Sequence, residues 1–568
     1  MGLLLQPAKI TKCDISFFLS DVCSRFECTE KFGIITVMNT YSCRCLLTVG
    51  AAFWVAVASG AATISELTEM VTRDLREPVR PGGVNGQAFW NMNAMSFMYP
   101  PSFDFPKVEG AERYRFRAIG SDGKMREFFA EEPTATLAPI WEALPTGRTE
   151  LWMEATFWKT RCLKRFYRAF WKNAPYRPGT YPAASRSYAE AVRLGYEYLM
   201  SRPHILNFVA TGKPDHAYLH NCYPSKMHAA TIEAMVRCAK AHPEIRDRAL
   251  KLATTAADYL ISVSQPAGAP LACFPPTYEG EGRSGARSFR GQVMLIYPAV
   301  VGKAYLALAD CMQDARYLDA ARGIAETYLR LQGEDGSWFL KMWEKDGKPV
   351  GHNRLHPCDV IDFMDAMFAA TGDVRCRDCA DRAFGYFEKG PLADWDWEGQ
   401  FEDIYPNPFK YVNMTKHPSC AVAIRICRRW PNDAKRIAQA RELLRYAEDQ
   451  FVYWEQPFSG ERIGLLSHGR WAEWMVAPAV VEQYHYRMPV DSSAARLIQT
   501  YLALYEVTGN PLDLAKARTL GDAIVRVQHA DGRIPTLWAK GEGDDLQNDW
   551  INCLVHALEV LEQLSAVK

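Results

Sequence analysis

The chain has 568 residues, 48% of them hydrophobic, with 66 basic and 66 acidic side chains. That length permits a large core and more than one domain, and the charge balance leaves no broad basic field for a phosphate backbone, which excludes nucleic acid as an expected partner. Aromatics make up 12% of the chain, including 16 Trp; flat rings suit the C–H faces of sugars, although a large core also buries many aromatics.

Residues 1–37 show no clear periodicity. From Met38 the pattern is that of a secretory leader: Arg44 supplies positive charge, Leu46 to Ala58 is apolar, and Ser59, Gly60, Ala61 and Ala62 are small enough for cleavage. Translation is expected to start at Met38 and cleavage to fall near Ala61. Residues 1–62 are then extension plus leader, and the mature chain is secreted or periplasmic. The apolar run is short for a span, with an N-terminal anchor as the alternative, and no later run is long enough. No membrane association is expected after cleavage.

Cys13, Cys23, Cys28, Cys43 and Cys45 precede that point, and the other cysteines are scattered and odd in number. This is no dense disulfide framework. Cys376 and Cys379 form a single C-x-x-C in a helical pattern, so packed thiols are expected rather than a zinc site. No metal or cofactor is expected, and no ligand spacing calls for calcium.

Residues 78–175 read as β. Tyr114, Phe116 and Ala118 alternate with Arg115 and Arg117; Leu151, Met153 and Ala155 alternate with Trp152 and Glu154. Period two with Gly, Asp and Pro punctuation predicts strands, here of a small sandwich domain. Trp171 to Pro182 reads as a linker.

From residue 183 the period becomes helical, as at Tyr188, Val192, Gly195 and Leu199. The segment from Tyr305 aligns without a gap on the segment from Tyr501. Identical pairs include Leu318/Leu514, Ala321/Ala517, Arg330/Arg526, Gln332/Gln528, Asp335/Asp531 and Gly336/Gly532, and a weaker copy starts at Phe363. Each unit is helix, short loop, helix, then a Q-x-x-D-G turn. Repeated hairpins must stack to bury their apolar faces, in an open solenoid or a closed ring. Residues 183–568 suit six hairpins closed into an (α/α)6 toroid. The predicted fold is therefore mainly α, an (α/α)6 toroid preceded by a small β-sandwich, with the Q-x-x-D-G turns rimming one end of a funnel.

Loops on such a scaffold are where sites are built. His220, Asn221, Tyr223 and Lys226 precede a helix, where Lys226 suits a substrate carboxylate or is simply solvated. Tyr278, Glu279, Glu281, Arg283, Arg287 and Arg290 share a Gly-rich loop that grips anions or is flexible. Asn353, Arg354, His356 and Asp359 precede another helix, which Asp359 is placed to cap. The sharpest loop holds Asp394, Asp396, Glu398, Glu402 and Asp403 among Trp395, Trp397, Phe401 and Tyr405. Carboxylates beside large aromatics lose solvation, which raises an acid's pKa, and glycoside hydrolysis needs one protonated acid and one ionised partner. Trp538, Asn548, Asp549, Trp550 and Asn552 offer a platform with hydrogen-bonding groups, or a packed ring closure. No G-x-S-x-G, P-loop, H-E-x-x-H or convincing G-x-G-x-x-G is present, which argues against several common enzyme classes.

The motifs NCYPSK, PPTY, MLIYPAVVGKAYL, WEGQFED and IPTLW, over roughly residues 90–568, resemble the six-hairpin glycosidases of glycoside hydrolase family 154. That resemblance implies a β-glucuronidase-like enzyme removing a terminal glucuronic acid, with Lys226, Arg283, Arg287, Arg290 and Arg354 as reasonable carboxylate partners. Of its acids only Glu398, Glu402 and Asp403 carry over. The expected catalytic residues are thus Glu398, Asp403 and Glu402. The expected substrate contacts are His220, Tyr223, Lys226, Tyr278, Arg290, Arg354, Trp397, Trp538, Asp549 and Trp550, with a uronic-acid glycan or glucuronide as substrate. Two alternatives stand. One is a lyase or epimerase using Tyr or His as base, from His220, Asn221, Tyr223 and Tyr278. The other is a non-catalytic glycan binder.

Overall fold

The computed structural model describes residues 62–80, 90–158, 161–405, 407–456, 474–539 and 548–567. The leader assignment around Met38 lies outside them. Contacts divide the chain into two units, residues 1–67 and 68–568. The second unit holds the sheet and all the helices of the ring.

The β segment forms one five-stranded sheet of β1 (Ser96–Phe97), β2 (Arg113–Ile119), β3 (Met125–Ala130), β4 (Gly147–Phe157) and β5 (Arg161–Lys172), ordered β1-β5-β4-β2-β3. The expected alternation holds: Tyr114, Phe116 and Ala118 on β2 and Leu151, Met153 and Ala155 on β4 are buried. The expected second sheet of a sandwich is replaced, among the described residues, by other layers. Phe97, Phe103 and Phe170 pack edge to face, and Trp141 of the short helix Ala138–Trp141 stacks on Phe170. Period two shows that one face is buried but does not say against what.

Twelve long helices follow among the described residues. They are α1 (Tyr188–Ser201), α2 (Pro224–Ala241), α3 (Arg246–Val263), α4 (Tyr297–Met312), α5 (Ala315–Leu331), α6 (Cys358–Thr371), α7 (Val374–Lys389), α8 (His417–Arg429), α9 (Ala434–Phe451), α10 (Asp491–Thr508), α11 (Pro511–Val527) and α12 (Ile551–Ala566). The even-numbered helices each touch the next even one, and α12 returns to α2. They form the inner ring of an (α/α)6 toroid. Each has an outer partner, and the last, α12, pairs with the first, α1. Gly195 permits this closure, since a Cβ there would lie 2.4 Å from the Leu558 side chain. The sheet is fused to the wall: Asp449 of α9 accepts from the backbone N–H of Met98 and Tyr99. No helix among the described residues is long and apolar enough to cross a membrane.

The Q-x-x-D-G repeat has a physical reason. The Gln332 side-chain amide donates to the Gly336 and Cys379 carbonyls, and Gln528 donates to those of Gly532 and Ala191. Each glutamine thus ties its turn to the next outer helix, α7 or α1. Gly336 and Gly532 have positive φ, and a Cβ on either would lie about 2.2 and 2.1 Å from a carbonyl oxygen of that helix. These turns brace the outer wall and do not line the funnel. Cys376 and Cys379 are buried on α7 as free thiols.

Short connections join inner to outer helices at one end of the ring. The longer connections that precede Tyr297, Cys358, His417, Asp491 and Ile551 all enter inner helices at the other end. Six inner-helix N-termini therefore face one mouth, which favours negative charge there.

Candidate active site

The loop at 394–415 is clasped at its base. The Glu398 carboxylate accepts the backbone N–H groups of Val412 and Asn413, Gly399 N–H donates to the Asn413 carbonyl, and Thr415 N–H donates to that of Trp397. Lys410 pairs with Asp394 and Tyr411 N–H reaches Asp396. Burial, opposed by those amides, pushes Glu398 up to about 7. Trp397 is fully buried against Phe387 and Trp395, under the loop. Glu398, part-buried and raised as expected of an acid, thus also clasps the loop, and the expected platform Trp397 is buried. The physical reason is that this loop folds back on itself and uses both side chains internally.

Glu402 lies past the clasp and is buried. Lys226 at the start of α2 donates to its Oε1 at 2.6 Å, and the Tyr297 hydroxyl at the start of α4 donates to Oε2. Its backbone oxygen accepts from Tyr278 at 2.8 Å and from Lys341 at 3.3 Å. Burial opposes the charged form, yet the Lys226 cation and the hydrogen bonds from Lys226 and Tyr297 hold the carboxyl below its usual range. Lys226 in turn is kept charged by Glu402 against its own burial.

Asp403 differs from its neighbour. Its side chain reaches solvent but is walled by protein on most sides. That crowding, then the adjacent Glu402 charge and the more distant Glu482, push it up to about 6, against the pull of Lys226 and Arg283. Two consecutive carboxyls therefore titrate in different ranges, Glu402 below its usual value and Asp403 at about 6. Gly285 makes the approach possible: a Cβ there would lie 2.7 Å from Asp403 Cβ and 2.8 Å from the Tyr223 hydroxyl. That hydroxyl is buried and, among the described residues, has no hydrogen-bond partner. Burial, with the Glu402 and Asp403 charges, keeps Tyr223 well above its usual range, and Tyr278 likewise.

Trp550, half-buried, is the centre of a platform. Tyr223 stacks on it with centroids 5.9 Å apart, and the His220 ring lies 3.9 Å from it. Lys226 Nζ is 4.4 Å and the Arg283 guanidinium 5.0 Å from its ring centre. Among the described residues no carboxylate lies within ion-pair distance of Arg283. Behind the platform Asp549 is paired with Arg202 and accepts from the Tyr198 hydroxyl at 2.6 Å. Asp549 is therefore buried in this pairing, next in sequence to Trp550.

The structure thus gathers His220, Tyr223, Lys226, Tyr278, Glu402, Asp403 and Trp550. It does not add the others. Arg290 is paired with Glu281, and Arg354 with Asp335 of the wall turn. Trp538 is fully buried, its indole N–H donating to the Pro535 carbonyl. Short-range pairing and packing, invisible in a loop's composition, remove these groups. Asp359 lies inside the first turn of α6, 3.9 Å from His417, and does not cap the helix. Glu482 has no motif around it. Its oxygen accepts from the Gln483 amide, whose own oxygen accepts from Asn413 of the acidic loop, and the Glu482 carbonyl accepts from Thr415 and Lys416; these cross-loop links reveal it.

No family model and no curated protein matches the chain. Solved structures do. A family 76 glycoside hydrolase from a bovine Bacteroides thetaiotaomicron strain is 11% identical over 81% of this chain and 95% of that one, with a TM-score of 0.43. The cellobiose 2-epimerase of Spirochaeta thermophila is 13% identical over 66% and 98%, at 0.43. A polysaccharide lyase is 11% identical over 80% and 62%, at 0.42.

Proposed function

We propose that this chain is a glycoside hydrolase that removes a terminal uronic acid, as the family 154 resemblance implies. The observation that supports it most is the Glu402–Asp403 pair, adjacent in sequence at the mouth of the toroid, with Glu402 held below its usual range and Asp403 raised to about 6. Asp403, protonated below about pH 6, is the general acid for the leaving oxygen. Glu402 holds that proton in place electrostatically. Its own oxygens are engaged by Lys226 and Tyr297, which makes it a positioning residue. Glu482, whose charge also acts on Asp403, is the carboxylate left to activate water, so that acid and base come from different loops. Trp550 packs against the sugar, and Arg283, lying over it, receives the uronate carboxylate.

For the lyase or epimerase reading, Tyr223 and Tyr278 are held protonated by burial and neighbouring charge, which leaves His220 as its base. The leader pattern from Met38 supports export to the periplasm or out of the cell, which N-terminal sequencing of the exported protein tests.

The deciding experiment incubates the protein with an aryl β-glucuronide and with glucuronate-containing glycans and reads products by mass. Free glucuronic acid supports the proposal; an ultraviolet-absorbing unsaturated product selects the lyase, and no product selects the binder. Asp403→Asn and Glu482→Gln should each lower turnover at least about 10²-fold. Near-normal rates in both would remove the assigned acid and base.

A further inference from the structure

Like Phe409 on the same loop, which is 72% exposed, Tyr405 is open to solvent, two residues past Asp403 with 73% of its surface exposed. Its orientation is not left to solvent. It meets Phe289 edge to face with centroids 4.7 Å apart at 70°. Phe289 is itself buried, with Lys341 Nζ 3.4 Å from its ring centre and Tyr278 at 5.7 Å. Lys341 and Tyr278 are the two groups that donate to the Glu402 backbone oxygen. The residues that fix the Glu402–Asp403 segment therefore also fix the Tyr405 ring.

We propose that Tyr405 is the leaving-group subsite: its open face stacks against the sugar ring that follows the scissile bond. This rests on the hydrolase reading and goes beyond it. A general acid must touch the bridging oxygen, which lies between the released sugar and its leaving group. Gly285 and Tyr223 meet Asp403, and Tyr223 stacks on Trp550 near Arg283; these take the uronic acid. Tyr405 is exposed, so a glycan chain stacked on it can run out to solvent. The recognised chemistry is a flat apolar face, and a sugar ring or an aryl group both supply one.

The test compares wild type, Tyr405→Ala and Tyr405→Phe on three substrates that share glucuronic acid: glucuronosyl fluoride, an aryl glucuronide and a glucuronate-terminated disaccharide. Tyr405→Ala should lose about tenfold more kcat/KM on the disaccharide than on the fluoride, through KM, and Tyr405→Phe should retain the wild-type ratio. Equal losses on all three, or none on any, overturn the subsite. A loss confined to the aryl glucuronide overturns the sugar as occupant. Failure of the wild type to cleave the fluoride overturns the hydrolase reading, and the subsite with it.

Discussion

Replacing Glu402 by Gln removes one negative charge beside Asp403 and little volume. Asp403 stands at about 6 against an ordinary 3.8. Crowding is the largest cause and the Glu402 charge the next, so the substitution recovers part of that displacement, about one pH unit or ~1.4 kcal/mol. The Lys226 cation, no longer neutralised, pulls in the same direction. An acid catalyst works in its protonated form, so the rate falls as pH rises through its pKa. The alkaline limb of kcat/KM on a poor leaving group should move from near pH 6 to about one pH unit lower. Activity at pH 7 then drops about tenfold more than activity on the acid plateau. The assay is a pH–rate profile from pH 4 to 8 on a phenyl glucuronide, with Asp403→Asn as the variant that lacks the limb. A limb that stays in place, or moves to higher pH, refutes the coupling of these two carboxyls.

Arg283→Ala should raise KM for uronides by about 10²-fold while leaving the pH limb in place; an unchanged KM removes Arg283 from carboxylate recognition. Gly285→Ala drives a methyl into Asp403 and the Tyr223 hydroxyl, and kcat/KM should fall more than tenfold; an unchanged kcat/KM removes this close approach from the site. Glu398→Gln should weaken the clasp on Val412 and Asn413 by about 1–2 kcal/mol in denaturant unfolding, yet keep turnover within tenfold of wild type. Gly532→Ala, which meets the Leu194 carbonyl at 2.1 Å, should destabilise ring closure by several kcal/mol, on the order of 3, read by thermal unfolding.

The toroid was legible in the chain because its determinants are local and repeated. Helical spacing marks each hairpin, and Gln332 and Gln528 recur because every turn must find the same carbonyls on the next outer helix. The strands were legible from period two, but not what covers them: the partner layer comes from residues 97–105 and 138–141, which carry no alternation. The acidic loop was found from its composition, and the division of labour inside it was not. Glu398 and Asp403 look alike as letters. One is consumed by two backbone amides and the other is left at the mouth, because the chain between them closes into a clasp. Asp403 meets Gly285 and Tyr223, and Lys226 meets Glu402, across more than a hundred residues of sequence. Such contacts set which charges neighbour one another, and hence each group's proton affinity. Proton affinity depends on burial and on charges a few ångströms away, and only the closed ring decides both.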